Sequence, residues 1–298
     1  MNILLYLPRE LLELTISLLD ISSEFSLGFI FKPYASGDKF PIAAIDSIDH
    51  NYLDVFKWIM HMQQMQGQMM SQYRYQYCKA AARVGSLEIL KLVYDDVYAI
   101  QNHFMVEAAV GGHLGIIKWL HEHRCRINNA ICEKASGNGR INILEWLYER
   151  NYFYSYQHRM CHIKAAKYGQ LDVFKWFKTY NTQHKIKYDM GGEQSCWHAV
   201  KYGHFELLKW LHENGCPWNE ASCNYAAENG RLDILKYLRE NDCPWCEYTW
   251  EFAIVGGHLD VLKWIYANGC PIIDNAYDLA TNRNQHEIAS WLQENGLV

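Results

Sequence analysis

No uninterrupted apolar run in the 298 residues approaches the roughly eighteen needed for a membrane-spanning helix, so no span is expected. The apolar N-terminus lacks a basic start and a small-residue cleavage site, and it carries Arg9, Glu10 and Glu13 early. No secretory signal peptide is expected there. Positive charge is not in excess either. The formal net charge is -5, whereas binding to nucleic-acid phosphates relies on neutralisation by Lys and Arg; nucleic acid is not expected as a ligand. The chain also lacks a P-loop, a dinucleotide fingerprint and a His-Glu-x-x-His motif. No residue is thereby singled out for catalysis, no cofactor is expected, and the chain is not read as an enzyme.

Half of the residues are hydrophobic, enough to build a core. The length allows two ordinary domains or one long array. An internal period decides between them. An alanine column runs through Ala81, Ala108, Ala135, Ala165, Ala199, Ala226, Ala253 and Ala280, in steps of 27, 27, 30, 34, 27, 27 and 27. Four residues after each alanine stands Gly85, Gly112, Gly139, Gly169, Gly203, Gly230 or Gly257, with Asn284 in the last unit. A weaker early unit has Ser47 in the alanine column and Asn51 in the glycine column. Glycine tolerates the left-handed backbone that ends a helix, and asparagine is among its best substitutes. The column therefore marks a helix stop.

A second helix follows each stop. Leu232-Asp233-Ile234-Leu235-Lys236-Tyr237-Leu238 aligns with Leu259-Asp260-Val261-Leu262-Lys263-Trp264-Ile265, with apolar residues at helical spacing. A ring column follows the lysine, comprising Trp58, Trp119, Trp146, Trp176, Trp210, Trp264 and Trp291, with Leu92 and Tyr237 completing it. These rings are expected to stack into a continuous core. About nine units of helix, turn, helix and short return are expected over residues 39–298. Neighbouring units bury the apolar face that one unit alone cannot.

Segments such as Ala226-Ala227-Glu228-Asn229-Gly230-Arg231-Leu232-Asp233-Ile234-Leu235-Lys236 and Gly257-His258-Leu259-Asp260-Val261-Leu262-Lys263 resemble the core of ankyrin repeats. The 27-residue step is shorter than the family's period of about 33, and what is missing falls on its β-hairpin. The implied fold is an all-α, ankyrin-like helix-turn-helix repeat solenoid with short or absent hairpins. The Trp-rich short period is most similar to ankyrin proteins of large DNA viruses that infect amoebae. That resemblance implies a protein-binding scaffold, with host proteins as partners in the cytoplasm or nucleus of the host cell, and a monomer.

Residues 1–38 do not fit the repeat. Leu7-Pro8-Arg9-Glu10-Leu11-Leu12, followed by Ile16, Leu18 and Leu19, reads as a helix with proline near its start. The plainer reading is a cap over the first repeat. The alternative is a degenerate F-box-like segment, which would make the chain a substrate adaptor for a cullin-type ubiquitin ligase. The stretch Ser22 to Ser36 lacks the basic, Trp-containing second half of that motif.

The ten cysteines recur in columns, with Cys125, Cys216, Cys243 and Cys270 near unit ends and Cys78, Cys132, Cys196 and Cys223 in a second column. Reduced, buried thiols in a cytosolic or nuclear compartment are expected. Packed helices stand about 8–10 Å apart, too far for equivalent cysteines to share a zinc ion, and no metal is expected. Cys243-Pro244-Trp245-Cys246 lacks the strand-to-helix context of a redox dithiol. His113, His204 and His258 follow the turn glycine; the resemblance implies that they hydrogen-bond between neighbouring repeats.

The resemblance also implies that the two residues before the glycine face the concave side. Lys167-Tyr168 and Lys201-Tyr202 are the only adjacent units to repeat a large pair, and the step of 34 between them contains the insertion His184 to Gly192. Lys167, Tyr168, Lys201 and Tyr202 are therefore the candidate partner-binding residues, facing an acidic or mixed partner surface. The plainer reading is that both tyrosines cover the ends of their inner helices.

Overall fold

The computed structural model describes residues 40–49, 53, 56, 57, 60, 73–94, 102–152, 155–184 and 191–297. The N-terminal segment 1–38, the Asn51 turn and Trp58 lie outside the described residues, as do residues 185–190 of the insertion. The described secondary structure is helical, with seventeen helices and no strand among the described residues. The fold is all-α and built of ankyrin-like helix-turn-helix units, with no hairpin among the described residues. No described helix is long and apolar enough to cross a membrane.

The chain divides at Ala135–Ser136 into two compact units. In the first, α1 (Phe40–Asp49) precedes the pair α2 (Arg74–Val84) and α3 (Leu87–Val93) and the pair α4 (His103–Gly111) and α5 (Leu114–Glu122). Helix α2 packs on α1 and α4. Helix α6 (Asn129–Gly137) runs through the division point, and α7 (Ile141–Glu149) follows it. The second unit continues with α8 (Ser155–Lys167) and α9 (Leu171–Gln183), then α10 (Glu193–Lys201) and α11 (Phe205–Glu213). After these come α12 (Glu220–Glu228) and α13 (Leu232–Glu240), α14 (Tyr248–Gly256) and α15 (Leu259–Ala267), and finally α16 (Ala276–Asn282) and α17 (His286–Glu294). The inner helices α8, α10, α12, α14 and α16 form a row in which each packs on the next.

The alanine column works through both its side chain and its carbonyl. Ala81, Ala108, Ala165, Ala199, Ala226, Ala253 and Ala280 are fully buried. Each carbonyl accepts the N–H of the residue just after the turn, as in Arg231 N to Ala226 O at 2.8 Å and His204 N to Ala199 O at 2.8 Å. This is the Schellman closure of a helix end, and it needs a left-handed residue between donor and acceptor. Gly230 supplies it with φ +64°, and Asn284 takes the same role with φ 58°.

The turn glycine is also a seat for the next unit. A Cβ on Gly230 would stand 2.6 Å from the His258 ring, and one on Gly169 would stand 2.5 Å from His204. From these seats the Nε2 atoms of His258 and His204 donate to Glu228 O at 3.1 Å and Lys167 O at 3.0 Å. In the first unit, His113 Nε2 donates likewise to Arg83 O at 3.0 Å. The histidines thus join successive repeats, as the resemblance implied. Arg231 occupies the same seat over Gly203, and Gln285 the one over Gly257.

Six of the outer helices end in a second left-handed turn, at Arg124, Asn151, Gly215, Asp242, Gly269 and Gly296. Cys216 N, Cys243 N and Cys270 N then return to Leu211 O, Leu238 O and Ile265 O at 2.9, 2.9 and 3.0 Å. Three thiols of this column close their helix pairs on themselves. Cys216 Sγ points to Gly192 O at 3.4 Å, Cys243 Sγ to Asn219 O at 3.4 Å and Cys270 Sγ to Cys246 O at 3.5 Å, in each case the carbonyl just ahead of the inner helix.

The ring column departs from the expected continuous core. Trp146 is buried, but Trp119, Trp176, Trp210, Trp264 and Trp291 are half-buried, and Leu92 of the same column is 54% exposed. Helix phase explains the difference. Leu207, Leu208 and Leu211, like Ile234, Leu235 and Leu238, occupy the fully buried stripe, each side chain contributing roughly 1.5–3 kcal/mol. The ring residue stands one position before the last member of that trio, rotated to the flank of the outer helix.

The ten cysteines are thiols rather than disulfides; nine are buried and Cys246 is half-buried. Burial pushes the Cys270 thiol up to about 12. Hydrogen bonding to Cys216, then burial, pushes Cys196 upward, and Cys243 with burial does the same for Cys223. Among the described residues no group of three or more His, Cys, Asp or Glu could hold a metal ion.

Two outcomes test this architecture. Gly230→Ala meets both a left-handed backbone, at a cost of roughly 1–2 kcal/mol, and the seated His258. Gly215, with φ +80°, has nothing within 4 Å of its would-be Cβ, so Gly215→Ala carries only the backbone cost. Chemical denaturation should therefore rank Gly230→Ala as the more damaging change. Thiol titration with a disulfide reagent in the native state at pH 8 should label Cys246 fast and the nine buried thiols slowly. The buried thiols ionise above their ordinary range where shifted, so the reactive thiolate is scarce. Unfolding should release all ten.

Candidate functional site

Helix α8 ends at Lys167 and α10 at Lys201, so Tyr168 and Tyr202 stand at the two helix stops just before Gly169 and Gly203. The Schellman closure commits this backbone to a turn, and it leaves the tyrosine side chains outside the core. Tyr168 is 52% exposed and Tyr202 41% exposed. Lys167 Nζ lies between them, 5.6 Å from the Tyr168 ring centre and 5.2 Å from that of Tyr202. Three of the four sequence-predicted residues thus converge. Lys201 lies one step further along, with Nζ 4.3 Å over the Tyr225 ring of the following repeat. A Cβ on Gly137 would stand 2.9 Å from Tyr168 Cδ2, so this tyrosine also covers the end of the preceding inner helix.

Four ring residues that the sequence reading passed over complete the surface. His198 stacks on Trp197 at 3.8 Å and lies nearly parallel to Tyr202 at 6.0 Å and 8°. Trp197 stacks on Tyr225 at 5.1 Å, and Tyr225 meets Phe252 edge-on at 5.8 Å. All four are half-buried. The available signal was the position just before each alanine, which reads Lys164, His198, Tyr225 and Phe252 in four consecutive units. On a helix this column lies on the inner face, beside the variable pair.

The electrostatics of the surface are one-sided. Some other lysines have carboxylate partners: Lys209 with Glu206 at 2.9 Å, Lys175 with Asp172 at 3.7 Å and Lys79 with Glu107 at 3.3 Å. Lys167 and Lys201 have no ion-pair partner among the described residues; their ammonium groups rest on ring faces instead. His198 registers that field. Burial first, and then the charges of Lys167, Lys201 and Lys164, push its pKa down to about 4. Its Nδ1 is buried without a hydrogen-bond partner among the described residues. The imidazole is therefore neutral at pH 7 and adds ring surface rather than charge.

Residues 196–242 match the family model described as ankyrin repeats (many copies). The match includes Trp197, His198, Lys201, Tyr202 and Tyr225, together with helices α11, α12 and α13. The chain matches no curated protein. The matched segment holds the turn glycines Gly203 and Gly230; Arg231 seats on the first and His258, beyond the match, on the second, and this seating keeps the inner helices close enough for adjacent rings to stack.

The site makes a direct prediction. A proton-NMR titration should place the His198 midpoint near 4, below the ordinary 6.5, and Lys167→Ala with Lys201→Ala should move it upward. Because the folded state favours the neutral ring, stability falls as pH drops from 6.5 towards 4 and the unfolded chain takes up the proton first. A His198 midpoint left unmoved by the two lysine substitutions would mean the lysines do not act on it.

Proposed function

We propose that this chain is a protein-binding scaffold and that Lys167, Tyr168, Lys201 and Tyr202 are part of its contact surface. Ankyrin repeats generally serve as protein-interaction scaffolds. The observation that carries the reading here is the placement of Lys167 between two exposed tyrosines of successive repeats, without a carboxylate partner among the described residues. Tyrosine offers large contact area at low entropic cost, and aromatic residues are enriched among interface hot spots. The role is one of recognition without catalysis. The sequence resemblance makes host proteins the expected partners, met in the cytoplasm or nucleus. The alternative role of ubiquitin-ligase adaptor rests on the sequence of residues 1–38 alone.

The test is a double substitution. Tyr168→Ala with Tyr202→Ala should weaken capture of the partner recovered from native host cells by at least about tenfold, the scale of losing a hot-spot aromatic. The melting temperature should barely move, since exposed substitutions usually stay within about 0.5 kcal/mol. A large fall in melting temperature would instead assign both tyrosines to covering the helix ends, and undiminished capture would remove the patch from the interface.

A further inference from the structure

The inner-helix surface combines two features that pull in the same chemical direction. Two of its cations are uncompensated: Lys167 and Lys201 face rings, and no carboxylate pairs with them among the described residues. Lys164 adds a third positive charge near enough to act on His198. Beside these lysines runs a ladder of rings, the exposed Tyr202 and the half-buried His198, Trp197, Tyr225 and Phe252, in contact from one repeat to the next. An ammonium group on a ring face is already partly desolvated and attracted only weakly, by about 0.5–1 kcal/mol at exposed sites. A carboxylate arriving from outside adds the missing counter-charge without first breaking an existing ion pair.

We propose that this surface takes an extended acidic peptide segment of a partner protein, with carboxylates on Lys167 and Lys201 and an apolar side chain on the rings of Trp197, Tyr225 and Phe252. This rests on the scaffold reading above and specifies its partner's chemistry. Charge complementarity selects the occupant. Single-stranded nucleic acid also uses cations and stacked rings, but it places a negative charge at every nucleotide along the groove. The repeat after Lys201 carries Glu228 in the same column, Glu251 precedes Phe252, and the whole chain is at -5. A short segment with two or three carboxylates is matched by the patch, whereas a polyanion runs on into like charge. The rings lie in neighbouring repeats, so an extended strand reaches them with alternate side chains.

Fluorescence anisotropy on the full chain provides the test, with a labelled synthetic peptide of repeated Glu-Glu-Phe triplets as probe. The probe should bind at least about tenfold more tightly than its Gln-Gln-Phe counterpart, and its affinity should fall as salt is raised, as expected for exposed charges. The charge-reversed variant Lys167→Glu with Lys201→Glu, verified as folded by its melting curve, should lose the Glu probe and gain a Lys-Lys-Phe probe. Equal affinity for the Glu and Gln peptides would overturn the proposal, as would indifference to the charge reversal or tighter binding of oligo(dT) than of the Glu probe. Failure here is distinguishable from failure of the scaffold reading. A chain that loses its cellular partner on Tyr168→Ala with Tyr202→Ala, yet ignores the acidic peptide, remains a scaffold for a partner of other chemistry.

Discussion

The structure depends on one repeated contact: a left-handed turn residue without a side chain, on which the side chain that follows the next repeat's turn glycine sits. At Gly169 and Gly230 the contact does two things. It lets the inner helix close on its alanine carbonyl, and it leaves an opening that the His204 or His258 ring fills. The ring then donates to a carbonyl in the preceding repeat. Helix termination and helix stacking are thus a single event. The burial of Leu207, Leu208 and Leu211, and of the equivalent trios, follows once the helices are held at that spacing. The 34-residue step is accommodated in the same way, since His204 still reaches Lys167 O across it.

Much of this was legible in the sequence because the constraint falls on residue identity. Only glycine, with asparagine at Asn284, fits the inner turn, and only a small residue fits the alanine column, so both appear as columns. The exposed lysine–tyrosine pairs could be read because they sit at a fixed offset from those columns. Other features left weaker traces. The outer turn is equally left-handed but accepts Arg124, Asn151 and Asp242 as well as glycine. Nothing has to pass over it, and Gly215 and Gly269 have open space around them. Without a steric demand no column forms.

The ring column shows the opposite error. Trp119, Trp176, Trp210 and Trp264 recur as regularly as the alanines, and regularity suggested a core. Their regularity has another source, the flank of the outer helix, where a ring is half covered. There the backbone carbonyls of Trp210, Trp264 and Trp291 accept from the amides of Asn214, Asn268 and Asn295. The surface ladder of His198, Trp197 and Tyr225 was overlooked for a related reason. Its members belong to two neighbouring columns of mixed chemistry, and only three-dimensional stacking makes them one surface.

The His204 contact has a consequence for how recognition and cohesion are related. Lys167 contributes its ammonium group to the exposed patch and its carbonyl to the joint with the next repeat. A ligand that holds the Lys167 side chain also restricts the backbone that accepts His204. By linkage, whatever firms that joint must favour the ligand by the same free energy. In a stack whose cohesion is a sum of nearest-neighbour terms, a partner bound across this joint acts as a local rivet: it raises the cost of parting these two repeats and leaves distant ones as free to breathe as before.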